Sequence, residues 1–298
     1  MNILIIGGSG LLGGHAALHL STQGHQVTIG SRSRPAPETP MAMYRFQAID
    51  YTSPALKAEA LAGFDAIVFS AGKDTRDLPK DGDAAAFWNE MNVEAVPRFF
   101  ELARQAGVKR VVNVGTFYPW VAPHLAEENL YIASRAEADR RIHTLGRTGF
   151  DVISVNPPLM IGYIRGLRSK GSFVNIIKYA RGERPDIDIY APTGGVHFMS
   201  TQSLAEAIEG ALLRGEPGKS YLVGDQDYSY HDYFKLYFNA VGREIDIPVL
   251  AQAHPLLGSF AGVGGTLYYE PDPETVALLG YRRRDVVRAV AEVVQQYA

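Results

Sequence analysis

Apolar residues fall along this chain in short runs separated by stretches of helical period. Asn2–Ile6 is a run that stops at Gly7, and apolar positions then recur at helical spacing from Leu11 to Leu20, which predicts strand, turn, helix. The alternation continues: Gln26–Ile29, Tyr44–Ala48, Asp65–Phe69, Arg110–Val114 and Val152–Val155 read as strands, with helical patterns in the gaps. The longest pattern, Ala84 to Ala106, places Phe87, Met91, Ala95 and Phe99 on one stripe and Arg98, Glu101 and Arg104 on another. Pro97 inside it predicts a kink or a break, because proline lacks the helical donor and its ring crowds the preceding turn. Asn129 to Leu145 predicts a further helix. Strict alternation predicts an α/β fold with a doubly wound parallel sheet of the Rossmann type.

After Asn156 the texture changes. Pro157, Pro158, Pro185, Pro192, Gly194 and Gly195 break the chain into shorter pieces, which predicts a main α/β domain over residues 1–156 and a smaller lobe over 157–298. Ser203–Leu213 and Val286–Val294 are amphipathic and are expected to return to the main sheet. Ile247–Tyr269 has no Asp, Glu, Lys or Arg and reaches the ~20 residues a bilayer needs. Pro248, Pro255, Gly258, Gly262, Gly264 and Gly265 interrupt it, so it predicts a glycine-rich apolar loop and no membrane partner. Its part Gly258–Tyr269 could cover a hydrophobic substrate as a mobile lid; core packing or a dimer contact would produce the same composition.

Composition narrows the chemistry. With 29 basic and 32 acidic residues among 298, the net charge of −3 gives no general attraction to nucleic acid. The absence of cysteine excludes disulfides, thiolate metal sites and a cysteine nucleophile, and is compatible with a reducing, cytoplasmic location. Met1–Ile6 lacks the charged and apolar regions of an export signal. His15 and His19 have helical i, i+4 spacing, but no nearby Asp, Glu or Cys completes a ligand set with them and His25, so packed or surface histidines are expected and no metal.

Gly7-Gly8-Ser9-Gly10-Leu11-Leu12-Gly13 stands where the first strand meets the first helix. One glycine permits the tight turn, the next lets the backbone approach a pyrophosphate, and the third lets helix and sheet pack closely, with the helix N-terminus facing the anion. After the second strand, where a carboxylate would accept the adenosine ribose hydroxyls, the chain offers Ser31-Arg32-Ser33-Arg34, and its first acidic residue is Glu38. Guanidinium groups suit a 2′-phosphate, so the expected cofactor is NADP(H) rather than NAD; a solvated basic loop is the plain alternative.

With these markers the chain resembles the extended short-chain dehydrogenase/reductase family over nearly its full length. The resemblance rests on Gly7-x-x-Gly10-x-x-Gly13, Asp50, Ser70-Ala71-Gly72, Asn92-Val93, Gly107–Val112, Thr116 and Tyr131. Asn156–Gly162, with Pro157 and Pro158, and Gly218–Gly224 are most similar to the dihydroflavonol-reductase and 3β-hydroxysteroid-dehydrogenase branch. The likeness implies that Gly7, Gly10, Leu11, Leu12, Gly13, Ser31, Arg32, Ser33, Ser70, Pro157 and Pro158 belong to the cofactor site. It further implies that Asp50 and Tyr51 lie against adenine, that Ala71 and Gly72 line the nicotinamide ribose, and that Asn92 positions a helix or relays a proton. A homodimer through the Ala84–Ala106 and Asn129–Leu145 helices is implied as well.

The resemblance also implies a catalytic group of Thr116, Tyr131 and Arg135, the last standing where the family has lysine. Of 16 tyrosines, only Tyr131 is followed four residues later by Lys or Arg, and i, i+4 spacing puts both on one helical face. A phenol is a poor acid or base at neutral pH unless a cation favours its phenolate. A guanidinium ~6 Å away at an effective dielectric of ~20 would supply roughly 2.8 kcal/mol. A planar five-donor fork nevertheless differs from a compact ammonium.

The expected activity is NADPH-dependent reduction of a carbonyl in a small, largely apolar substrate. Two alternatives stand beside it: a nucleotide-sugar epimerase or dehydratase, and a catalytically silent NADP-binding regulatory protein. Arg165, Arg168, Lys170, Lys178, Arg181 and Arg184 enrich the start of the second lobe in positive charge and could hold a substrate phosphate, or form a solvated surface.

Overall fold

The structure, a computed structural model, describes residues 1–73, 75–167, 172–258 and 260–297. Its first half alternates as expected: β1 (Asn2–Ile6), α1 (Leu11–Thr22), β2 (Gln26–Ser31), β3 (Arg45–Ala48), β4 (Ala66–Phe69), α2 (Ala84–Trp88), α3 (Ala95–Gln105), β5 (Arg110–Val114), two single turns α4 (Tyr118–Val121) and α5 (Leu125–Glu128), α6 (Leu130–His143) and β6 (Asp151–Asn156). The second half contains β7 (Leu159–Ile161), α7 (Ser172–Arg181), β8 (Ala191–Pro192), β9 (Gly195–Ser200), α8 (Thr201–Arg214), β10 (Ser220–Leu222), β11 (Gln226–Ser229), α9 (Tyr230–Ala240), β12 (Val249–Leu250), β13 (Thr266–Leu267), α10 (Pro273–Leu279) and α11 (Val286–Gln296).

Seven strands form the main sheet in the order β10-β6-β5-β4-β1-β2-β3, every pair parallel. This is the Rossmann-type doubly wound arrangement. The chain leaves β1 toward β2 on one side and returns to β4 on the other, so a crevice opens at the carboxyl ends of β1 and β4, where ligands of such sheets bind. The glycine turn leaves β1 at that point. The seventh strand, β10, comes from the second half and pairs with β6 at Ser220–Leu222.

The central strands are largely apolar on both faces because helices cover both, while the edge strand β3, with Arg45 and Gln47, has no buried residue. Ile3, Ile5, Val27, Ile29 and Val112 face a layer built from α1 and α8, including Ala16, Leu20, Leu204 and Ile208. Leu4, Ile6, Ile67, Phe69 and Val111 face Phe99, Phe100 and Ile142 of α3 and α6. A third core fills the lobe and is rich in rings: Tyr179, Phe198, Tyr233, Phe234, Tyr237 and Phe238.

The long helix expected over Ala84–Ala106 is interrupted, but not at Pro97. A π-helical segment occupies Asn89–Glu94, between α2 and α3, and Pro97 follows in the first turn of α3, where a missing N–H is tolerated. Among its described residues, Ile247–Tyr269 contains only β12 and β13 as regular structure, with left-handed Gly262 and Gly264 between them, in line with an apolar loop. Among the described residues no helix is long and apolar enough to cross a membrane.

Candidate active site

Gly7 has φ +81, and a Cβ there would meet the Ser70 carbonyl at 2.7 Å. A Cβ at Gly13 would lie 2.5 Å from the Gly7 carbonyl oxygen, so both positions require glycine for close packing of β1, α1 and the chain leaving β4. Gly10 is the N-cap of α1, and no side chain caps that helix, which leaves its opening N–H groups for a ligand.

A cavity of ≈ 280 Å³ gathers ten of the cofactor residues expected from sequence: Gly7, Gly10, Ser31, Arg32, Ser33, Asp50, Tyr51, Ser70, Ala71 and Gly72. Two hydroxyls on its wall, Tyr51 Oη and Ser70 Oγ, are buried without a hydrogen-bond partner, as groups awaiting a bound polar molecule would be. Burial pushes the Tyr51 phenol up to about 12, so it is a donor, not a phenolate. Burial would raise the Asp50 carboxyl, but the Thr52 hydroxyl and amide, at 2.7 and 3.0 Å, hold it below the usual range and keep it an acceptor. An uncapped helix start, a glycine cradle and orphaned hydroxyls together fit a dinucleotide. Arg34 departs from expectation: its guanidinium stacks over Phe46 at 5.0 Å and does not border the cavity, because the ring beside it offers a cation–π contact.

A second cavity, ≈ 720 Å³, has the glycine turn with Leu11, Leu12 and Gly13 at one end. Its walls are Leu159, Met160, Tyr163, Ile164, Leu167, Phe173, Ile176, Phe198, Tyr233, Leu256 and Leu257, with Gly258 and Tyr297; no described side chain lining it is charged. Sequence reasoning assigned none of these aliphatic and aromatic residues to the site. The only signal was the uncharged run after Ile247, which supplies Leu256–Gly258. Pro157 and Pro158 are buried and border none of the three cavities; Leu159 and Met160 just after them do.

Thr116 and Arg135 line a third cavity, ≈ 440 Å³, between α6 and the sheet, with Ala71, Gly72 and Asn92. Arg135 lies over the Tyr131 ring with its Cζ 6.0 Å from the centroid, and its Nη2 donates to the Val114 carbonyl at 3.1 Å. The Tyr131 ring is packed edge-on by Trp88 at 5.2 Å and stacked with Phe260 at 6.1 Å, and Tyr131 borders none of the three cavities. Asn92, in the π-helical segment, donates to Ser134 Oγ at 2.9 Å, and Ser134 donates to the Tyr131 carbonyl, so Asn92 is tied to the turn of α6 that carries Tyr131.

The far end of the third cavity holds a polar cluster that sequence gave no reason to expect. Ser154 and Ser220 donate to the two oxygens of Asp139, and His143 Nε2 lies 3.1 and 3.0 Å from the same serine oxygens. With both hydroxyl protons committed to Asp139, neither serine is set up as a nucleophile. Burial outweighs Asp139 and lowers the His143 pKa.

Among the described residues, the basic side chains at the start of the second lobe do not form a cradle. Arg184 pairs with Asp186 at 2.6 Å, Arg181 donates to the Tyr297 carbonyl, and Arg165 and Lys178 are exposed. Arg168 and Lys170 lie outside the described residues. His15 bonds the Tyr163 carbonyl, and His19 contacts Glu209 of α8 at 2.7 Å; both are packing histidines.

The fold and the glycine turn define a protein of the Rossmann dinucleotide-binding class. Residues 3–224 match the model of the NAD dependent epimerase/dehydratase family, and the chain belongs to that family, within the extended short-chain dehydrogenases/reductases. No curated protein sequence matches it. Similar solved structures include gox2253, with TM-score 0.80, 19% identity and coverage of 99% of this chain and 97% of that one. The enzyme WbmG of Bordetella bronchiseptica in complex with NAD superposes with TM-score 0.75 at 21% identity, over 100% and 94% of the two chains. The UDP-N-acetylglucosamine 4-epimerase of Methanobrevibacter ruminantium M1, in complex with UDP-N-acetylmuramic acid, gives TM-score 0.78 at 14% identity, over 99% and 97%.

Proposed function

We propose that the chain is an NADP(H)-dependent oxidoreductase that reduces a carbonyl in a small, largely apolar substrate. The observation carrying this reading is the ≈ 720 Å³ cavity that runs from the glycine turn into a wall of aliphatic and aromatic side chains with no charged residue among those described. Such a wall favours apolar matter, and none of its described side chains would neutralise a substrate diphosphate. Arg32, beside the two hydroxyls of Ser31 and Ser33, supports a 2′-phosphate and hence NADP.

The cofactor, when bound, supplies hydride to the carbonyl carbon. The chain's residues would do the rest. Opening amides of α1 hold the pyrophosphate, with Ser70 and Tyr51 donating to it or its riboses. Thr116 would donate to the carbonyl oxygen and Tyr131 would give that oxygen its proton, roles carried by the family likeness alone: Thr116 lines the third cavity and not the apolar one, and Tyr131 borders none of the three. Arg135 would hold the Tyr131 ring face and the strand end at Val114, a positioning role more than acidification of the phenol.

A second reading is a nucleotide-sugar epimerase or dehydratase. The family match and the names of the similar structures weigh toward it more than toward net reduction. Incubation with NADPH and a panel of aryl and alkyl ketones, and separately with UDP- and dTDP-sugars, decides between them. Net NADPH oxidation with ketones supports reduction; altered sugar without net cofactor consumption supports the second reading. If neither occurs and Arg135→Lys is equally inert, the chain is a silent binding protein. The same material should use NADPH at least tenfold better than NADH, and Arg32→Glu should reverse the order; equal use of NADH in the wild type removes the argument from Arg32. A homodimer through the helices of Ala84–Ala106 and Asn129–Leu145 belongs to this proposal, and a monomeric mass by sedimentation would remove it.

A further inference from the structure

The apolar cavity is closed on one side by a turn whose base is a histidine with an unusual environment. His254 is 3% exposed and sits among the rings of Tyr179 from α7, Tyr190 and Phe234 from α9, with centroid distances of 5.1, 4.7 and 4.7 Å, all edge-on. The Leu256 amide donates to His254 Nδ1 at 3.2 Å, and the Leu257 amide donates to the His254 carbonyl at 3.1 Å. Beside it, the Tyr190 hydroxyl donates to the Ala253 carbonyl at 2.6 Å. Leu256, Leu257 and Gly258, the residues these bonds arrange, line the same cavity as the glycine turn.

Hydrogen-bond accounting fixes the state of this ring. Nδ1 accepts, so in the neutral imidazole the proton is on Nε2, and Nε2 is buried with no partner. Burial lowers the pKa to about 4, so the ring is neutral near pH 7. A phenylalanine would fill the same cage of rings without leaving an N–H orphaned. What the imidazole adds over a hydrocarbon is one acceptor, placed to hold the Leu256 amide. The polar atom therefore serves the geometry of the turn and not the stability of the lobe.

We propose that His254 is a positioning residue for substrate binding: through the Leu256 amide it holds Leu256 and Leu257 as the wall against which an apolar carbonyl compound is placed. This role rests on the apolar-substrate reading above. Two variants separate it from ordinary packing. His254→Phe keeps the aromatic plug and removes the acceptor; His254→Asn keeps an acceptor, its Oδ1 standing where Nδ1 stands, and removes the plug.

The test uses the full chain, with 2-acetylnaphthalene as an apolar ketone probe, NADPH as the second ligand and urea unfolding as the stability control. His254→Phe should be at least as stable as wild type yet bind the ketone about tenfold more weakly, while its NADPH affinity stays the same. His254→Asn should be less stable yet bind the ketone within about twofold of wild type. Ketone binding that follows stability in both variants, or that is unchanged in His254→Phe, overturns the role. Should wild type bind NADPH but not the ketone, the apolar-substrate reading fails, and the assignment of His254 falls with it; wild-type binding with an unaffected His254→Phe refutes the assignment alone.

Discussion

A single methyl group at position 13 is the smallest change that would disturb the cofactor turn, because it would press on the Gly7 carbonyl, itself held in a left-handed conformation. Gly13→Ala should separate α1 from β1 and weaken NADPH binding about tenfold or more, as read by fluorescence titration; affinity equal to wild type would show that the turn can give way. His254 makes a prediction of a different kind. Its folded pKa, about 4, lies below the ordinary 6.5, so between those values the unfolded chain takes up a proton that the folded chain excludes. Stability should therefore be full above pH 6.5 and fall as the pH drops toward 4, by up to about 1.4 kcal/mol per pH unit. In His254→Phe, urea unfolding across that interval should show a shallower slope than wild type; parallel slopes would contradict it. At this scale the glycine turn, Ser31 and Arg32 could be read from the chain, since a phosphate turn is local and its spacing survives in the sequence, while Asp50 and Tyr51 were implied only by the family likeness; all line one cavity. Leu256, Phe198 and the Asp139–His143 cluster could not, because residues far apart in the chain meet only after the lobe folds, and nothing in an isolated Leu or Ser announces it.

The elements were legible to within a few residues wherever the hydrophobic period was long, as in β1, α1, α6 and α8. The exception is informative. Pro97 was expected to kink or break Ala84–Ala106, yet α3 runs through it and the irregularity sits upstream, at Asn89–Glu94, where it leaves Asn92 buried and bonded to Ser134. Periodicity did not locate the π segment because Phe87, Met91, Ala95 and Phe99 keep an unbroken four-residue spacing through it, which reads equally as a continuous α-helix. The start of α11 depends on another buried group. Asp225, in the turn between β10 and β11, accepts the amides of Arg284, Asp285 and Val286 with its carboxylate, and its carbonyl accepts from Arg283. It thus supplies from another part of the chain the cap that Asp285, the N-cap residue, does not make. Asp225→Ala should cost roughly 2–3 kcal/mol in urea unfolding, from the lost cap and the amides left unpaired; a loss under about 0.5 kcal/mol would mean that water replaces the carboxylate.

At the level of the whole molecule, alternation of strand and helix was enough to give the doubly wound sheet, because each covered strand must be apolar on both faces and each crossover must carry a helix. What the alternation did not reveal was where the sheet stops. Ser220–Leu222, three residues beyond a proline- and glycine-rich stretch, gives no strand signal of its own, and it is the exposed edge of β6 that recruits it. By contrast α8 returns to the sheet as its amphipathic pattern predicts and shares with α1 the covering of one face, whereas α11, expected there too, packs its apolar side into the lobe core. A ribosome releasing this polypeptide would therefore have finished residue 156 long before the nucleotide-binding half could close: β6 would still present a bare row of amides and carbonyls, and the layer beside α1 would be half built. Expressed by itself, such an N-terminal piece should cling to its own kind or to chaperones, while one running past Leu222 and α8 loses that stickiness.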